Sequence, residues 1–131
     1  MHMLDLETMD FCPIELTLEL ISKKWNIQII RDIFFGKTHF NEFKEGKPEL
    51  TNKVLSRCLK QMEDNGLIAK SVNPNNPKNT EYKLTKKGHL LNNILFELAM
   101  YPLNVDENDE LFDAETKGEI ETAFKEKLNL N

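Results

Sequence analysis

Residues 51–65, TNKVLSRCLKQMEDN, sort into two faces when wound as a helix. Thr51, Leu55, Cys58, Leu59 and Met62 recur at three- and four-residue steps and form one mostly apolar stripe. Asn52, Lys53, Ser56, Arg57 and Lys60 fall on the other side, and no acid appears before Glu63. Thr51 is a cap-type residue with Pro48 in the loop ahead of it, and Gly66 stands where the helix has to stop. Such a helix buries one face and offers hydroxyl, amide and cation on the other. These are the groups that bond base edges and neutralise phosphates. A basic helix face is also the ordinary form of a solvated helix, so the weight falls on the elements around it.

Those elements come in a telling order. Pro13 suits the first turn of a helix carrying Ile14, Leu16, Leu18 and Ile21, and Ser22-Lys23-Lys24 interrupts its pattern. A second helix starts at Trp25, places Ile29, Ile30, Ile33 and Phe34 on one face and ends at Gly36. Trp25, the only tryptophan, is read as a core anchor. A short third helix, Thr38 to about Lys44, turns Phe40 and Phe43 inward, with His39 exposed at its start. The loop Glu45–Glu49 then leads into Thr51–Asn65, which makes a helix-turn-helix. Leu67–Val72 and Thr80–Leu84 read as two strands around the turn-forming run NPNNPKN, with Lys70, Lys78 and Lys83 along the hairpin. A hairpin directly after a helix-turn-helix is the wing of a winged helix. Thr85 caps a long helix, Lys86 to about Tyr101, with Leu91, Ile94, Leu95 and Leu98 on one stripe and Pro102 as its stop. The acidic linker NVDENDE follows, and then a helix from Ala114 to about Leu128 with Ile120, Ala123, Phe124 and Leu128 on one face. Gly118 costs that last helix about 1 kcal/mol relative to alanine. Its apolar stripe has to fold back or pack on another subunit.

The expected fold class is thus mainly α with a small β-hairpin wing: a winged helix-turn-helix with extra N- and C-terminal helices for dimerisation. Residues 1–10 are expected to be a flexible tail, 11–102 the winged-helix DNA-binding domain, and 103–131 an acidic linker with a C-terminal helix.

Net charge is −5, which taken alone argues against nucleic acid, but the charge is segregated. Residues 11–102 carry 14 Lys+Arg against 10 Asp+Glu, whereas residues 1–10 carry three acids and no base and residues 103–131 nine acids and three bases. The whole-chain isoelectric point therefore says little about the central surface. No apolar run is long enough to cross a bilayer and no signal peptide opens the sequence, so a cytoplasmic protein without a membrane partner is expected. Cys12 and Cys58 make neither a disulfide framework nor a metal spacing, and no cofactor is expected. A phosphate loop and a paired nucleophile and base are both absent from the sequence, so an enzyme is not expected.

The segments CPIELTLELISKKWNIQIIRDIFFG, HFNEF, LTNKVLSRCLKQMEDNGLI and TEYKLTKKG, in this order and spacing, resemble the HxlR family of bacterial winged-helix transcription regulators. The match covers residues 12 to about 101 without a gap. The resemblance implies a dimer built from the first and last helices, Thr51–Asn65 in the major groove, and the wing beside the neighbouring backbone. It also aligns Cys12 with the family's cysteine ahead of a proline, a redox or electrophile sensor in several members. A thiol at a helix start has its thiolate stabilised by free amides and the helix dipole; the alternative is a small packing residue. The chain departs from the family at Asn79, where relatives often carry a base at the wing tip beside the position of Lys78. At Cys58 relatives vary, and here the wheel points it inward.

The expected function is a homodimeric, sequence-specific regulator of transcription on double-stranded DNA, at an inverted-repeat operator. Thr51, Asn52, Lys53, Ser56, Arg57, Lys60 and Lys78 are its expected contacts, and Cys12 its candidate redox sensor. The alternatives are a small-molecule effector held between dimer helices, and a winged helix used only as a protein-interaction module.

Overall fold

The computed structural model describes residues 12–131; the flexible tail expected at residues 1–10 lies outside the described residues. Six α-helices and a two-stranded antiparallel sheet follow in the order α1 (Pro13–Ile21), α2 (Asn26–Phe34), a 3₁₀ helix (Phe40–Lys44), α3 (Asn52–Asp64), β1 (Ile68–Ser71), β2 (Glu81–Leu84), α4 (Lys86–His89), α5 (Asn92–Val105) and α6 (Ala114–Lys127). This is the winged helix-turn-helix.

One core joins every part of it. Ile29 and Ile30 of α2 meet Phe43, Leu50, and the α3 row Leu55, Cys58, Leu59 and Met62. Leu67, Ile68 and Tyr82 bring in the root of the wing, Leu91 and Leu95 bring in α5, and Leu128 closes it. Thr51 departs from the expected stripe. It is exposed, because its side chain leaves the apolar row to accept a hydrogen bond from the Val54 amide at 3.2 Å.

The hairpin pairs Ile68 with Leu84 and Ser71 with Glu81. Only its root is buried: Tyr82 packs edge-on to Phe43 with ring centroids 6.1 Å apart, while residues 69–79 are exposed. The wing root is sealed to α4 at Gly88. A Cβ on that residue would fall on the Leu67 carbonyl, so glycine alone lets the two backbones meet.

Three expectations are corrected. The third helix is a 3₁₀ turn, Phe40–Lys44, shorter than the expected span. The long helix from Lys86 is interrupted. The Leu91 amide bonds to the Gly88 carbonyl at 3.1 Å, a tightened turn that lets Leu91 swing into the core while Leu90 stays exposed. Pro102 does not end the helix, which runs on to Val105. Proline removes one amide, and here its unpaired acceptor is the carbonyl of Leu98, a residue on the solvent side. Residues 104 and 105 are thus helical rather than linker, and Asp106 anchors the turn beyond them by accepting from the amides of Glu110, Leu111 and Phe112.

The C-terminal helix folds back on its own chain. Leu128 is fully buried, its carbonyl accepts from Asn92 Nδ2 at 3.1 Å, and Phe124 meets Phe35 with centroids 5.1 Å apart. Of its apolar stripe, Phe124 and Leu128 find their partners within the chain, while Ala123 stays exposed.

Candidate nucleic-acid interface

Helix α3 separates its two faces as its sequence demands. Leu55, Cys58, Leu59 and Met62 are buried, and Asn52, Lys53, Ser56, Arg57 and Lys60 are all exposed. The N-cap of Thr51 sets the start of the helix, and Gly66, with φ of +77°, turns the chain away at its end. Between these stops the polar face is continuous. It carries Asn52, Lys53, Ser56, Arg57 and Lys60, with Gln61 and Asp64 exposed toward its end.

Two of these side chains are engaged. Lys60 pairs with Asp64 at 3.0 Å one turn on. Hydrogen bonding to that carboxylate, then its charge, raises the Lys60 ammonium above its ordinary value. Both groups are mostly exposed, so the pair is weak and readily exchanged for another anion. The Oδ1 of Asn52 accepts from Lys44 Nζ. Lys44 belongs to the first helix of the helix-turn-helix and extends the basic face of α3. Sequence reasoning missed it, although a lysine eight residues ahead of Asn52 in that short helix was the available signal.

Behind the N-terminal half of α3 stands a second basic group. Lys23, Lys24, Trp25, Arg57, Cys58 and Gln61 line one cleft. Lys24 lies 4.7 Å from the Trp25 ring centroid and 3.2 Å from Glu49 in the turn before α3. Trp25 is half-buried against the core, as an anchor should be.

The turn into α3 rests on a buried ion pair that the sequence did not announce. Lys47 Nζ bonds to Asp32 Oδ2 and, at 3.0 Å, to the Phe43 carbonyl. Arg31 holds the other oxygen of Asp32 at 2.9 Å. Asp32 and Lys47 are both buried, so α2 and the turn are clamped in one register.

Lys78 stands apart from α3, exposed in the short turn Pro77–Asn79 at the wing tip. Its neighbour Asn79 is tied down: Oδ1 lies 2.9 Å from His39 Nε2. His39, expected to be a plain exposed residue, bridges the helix-turn-helix and the wing.

The two thiols differ. Cys12 occupies the N-cap of α1, half-buried, and makes no side-chain capping bond. Cys58 is buried, and burial pushes its thiol up, against the nearby charges of Arg57 and Lys23. Among the described residues no cluster of three or more His, Cys, Asp or Glu is placed to hold a metal, and no helix is long and apolar enough to cross a membrane.

Known proteins share this fold. The family model described as HxlR-like helix-turn-helix matches residues 20–109. The HTH-type transcriptional regulator YdeP of Bacillus subtilis is 30% identical over 118 residues, which cover 88% of this chain and 92% of YdeP. The redox regulator HypR in its reduced form superposes with a TM-score of 0.68 at 29% identity, over 77% of this chain and 100% of HypR. Quinone-bound YodB from B. subtilis superposes with a TM-score of 0.61 at 29% identity, over 72% of this chain and 99% of YodB. With its order of elements, its exposed basic α3 and its wing, the chain belongs to the HxlR-like helix-turn-helix family of transcriptional regulators.

Proposed function

We propose that the protein is a cytoplasmic, sequence-specific DNA-binding regulator that works as a homodimer on an inverted repeat. The observation that carries the reading is α3: Leu55, Cys58, Leu59 and Met62 buried, Asn52, Lys53, Ser56, Arg57 and Lys60 exposed, and no acid on its first three turns. In this reading Asn52, Ser56 and Arg57 face base edges. Lys53, Lys60 and Lys78 face phosphates, with Thr51 at the helix start. The DNA-binding unit is residues 11–102, and residues 103–131 brace it. The dimer reading rests on apolar side chains left uncovered by the fold: Ile14, Leu16 and Leu18 on α1, and Leu98, Tyr101 and Val105 on α5. A two-fold axis would place two copies of α3 about one helical turn of DNA apart, roughly 34 Å.

Thiol chemistry at Cys12 is the proposed trigger. HypR is a redox regulator and YodB has been solved with quinone bound, and Cys12 sits at the head of α1, beside the uncovered apolar residues. A small-molecule trigger has one observation in its favour, a cleft of about 500 Å³ between α5 and α6, lined by Phe96, Glu97, Met100, Lys117 and Glu121 among others.

The deciding experiment is selection of bound sequences from random duplex DNA, run with and without reductant, with sedimentation of the same sample. Enrichment of an inverted repeat by a dimer is the expected result. A monomer that still enriches a single half-site would overturn the dimer reading, and no enrichment, with no salt-dependent shift, would favour a protein-interaction module.

A further inference from the structure

We propose that His39 is a positioning residue: its doubly protonated ring clamps the wing tip to the helix-turn-helix, so that DNA affinity rises as the imidazole takes up its second proton. The proposal rests on the DNA-binding reading of Lys78 and α3, and adds to it a device that neither the fold nor the relatives' names describe.

The geometry is specific. His39 Nε2 lies 2.9 Å from Asn79 Oδ1 and 3.8 Å from Glu81 Oε1, both on the wing. Its Nδ1 lies 3.1 Å from Glu42 Oε1 and 2.9 Å from the Thr38 hydroxyl, both on the helix-turn-helix side. Each ring nitrogen therefore faces an acceptor. In the neutral ring the Glu42 carboxylate beside Nδ1 favours the Nδ1–H tautomer, which leaves Nε2 an acceptor facing the Asn79 and Glu81 oxygens; in the imidazolium both nitrogens donate, and the Thr38 hydroxyl, which both donates and accepts, suits either state. The backbone repeats the same junction, since His39 bridges to Glu81 and the Tyr82 amide donates to the Thr38 carbonyl at 2.8 Å.

The charged groups facing the ring are Glu42 from the 3₁₀ helix and Glu81 from β2, both acids. Glu42 keeps its charge. The amides of Thr38 and His39 donate to its Oε1 at 3.1 and 2.9 Å, and these bonds, followed by that of His39, hold its carboxyl below the usual range. The bond to Glu42 and then that to Asn79 hold the His39 ring above its ordinary value, against the opposing effect of burial. The sign follows. The clamp is fully present below the ordinary imidazole value of about 6.5 and is released as pH rises through the higher value of the folded protein.

The consequence reaches DNA through Asn79. That residue neighbours Lys78, so fixing Asn79 removes freedom that Lys78 would otherwise lose on binding. The effect is modest, because the ring is partly exposed and solvent screens it.

The test has two arms. In the DNA-free protein, nitrogen-15 relaxation of the Lys78 and Asn79 amides is followed with the His39 ring resonances from pH 5.5 to 8.5. The tip amides should gain mobility with the midpoint of the imidazole, and stay mobile throughout in Asn79→Ala. In the second arm operator affinity is measured over the same range at constant ionic strength. The wild type should weaken by about two- to fivefold on going to high pH, the span of an exposed ion pair. His39→Gln, which keeps a donor but cannot titrate, should be flat. Asn79→Ala should also be flat although its imidazole still titrates; a slope that survives there means that His39 meets phosphate directly, and overturns the clamp. Tip amides indifferent to the imidazole overturn it too. If the amides follow the ring but no variant binds DNA at any pH, the DNA-binding reading fails and the clamp stands.

Discussion

Arg57 and Lys60 share the exposed face of α3, yet their chemistry separates their tasks. A guanidinium matches the two acceptors on a guanine edge, while an ammonium meets a phosphate as a point charge. Lys60→Ala is expected to weaken all sequences alike and lower the salt slope of binding by about one, whereas Arg57→Ala should cost about 1–3 kcal/mol and relax specificity at one position. Anisotropy titrations at several salt concentrations read both. If neither change, nor Asn52→Ala, alters binding, the recognition assignment is wrong. The buried pair Asp32–Lys47 makes a different prediction at this scale. Asp32→Asn leaves an ammonium in the interior without its counter-charge, a loss of about 3–5 kcal/mol. The double variant Asp32→Leu with Lys47→Met removes both charges and should fall well short of the sum of the single losses. Urea unfolding of Asp32→Leu, Lys47→Met and the double variant checks this; additive losses would mean that the two side chains are not coupled.

Elements succeed or fail here at their ends. The start of α3 is set by Thr51 and its stop by Gly66, so its polar face arrives at a defined depth. The wing has little of its own: four residues on each strand, with burial only at the root. It is held from behind by Gly88, where α4 backs onto the Leu67 carbonyl. Gly88→Ala forces a methyl group onto that carbonyl, and the strand or α4 has to move. The expected cost is about 1–3 kcal/mol, the range of overpacked sites. Thermal unfolding reads it, and an unchanged midpoint would show that the junction gives way freely. Gly118 makes the contrast, since a Cβ there meets nothing within 4 Å.

The whole molecule brings three systems into one small chain: the basic face of α3, a wing, and a brace of α5 and α6 over the core. α6 packs on its own chain, and the large apolar side chains left uncovered on helices α1 and α5 are Ile14, Leu16 and Leu18, and Leu98, Tyr101 and Val105. Cys12 opens α1, so in the proposed dimer an adduct or crosslink there would alter the spacing of two α3 helices. Thiol reagents should modify Cys12 in the native protein and Cys58 only after unfolding, because Cys58 is buried and its thiolate disfavoured. Diamide or a quinone should then change operator affinity in the wild type and not in Cys12→Ser. Labelling of Cys12 only after unfolding, with affinity untouched by oxidant, would end the sensor reading and leave the DNA-binding one standing.

Much of this protein was legible before any coordinates. Leu55, Cys58, Leu59 and Met62 announce the buried side of α3 by their spacing, and Thr51 and Gly66 announce its limits, because these signals act within one or two turns. The wing could be read from NPNNPKN between two β-rich runs for the same local reason. The remainder depended on residues distant in sequence. That Lys47 is buried follows only from Asp32 across the core, and that His39 holds the wing follows only from Asn79, forty positions away. Pro102 was misread as a stop because proline statistics describe an average helix. In α5 the packing of Met100 and Leu103 into the fold carries the helix past it. The α6 stripe left two outcomes open, folding back or packing on another subunit, and Leu128 in the core takes the first. Local pattern sets which face of an element is apolar, and only the tertiary structure decides what that face meets, since the partner is chosen by packing and not by periodicity.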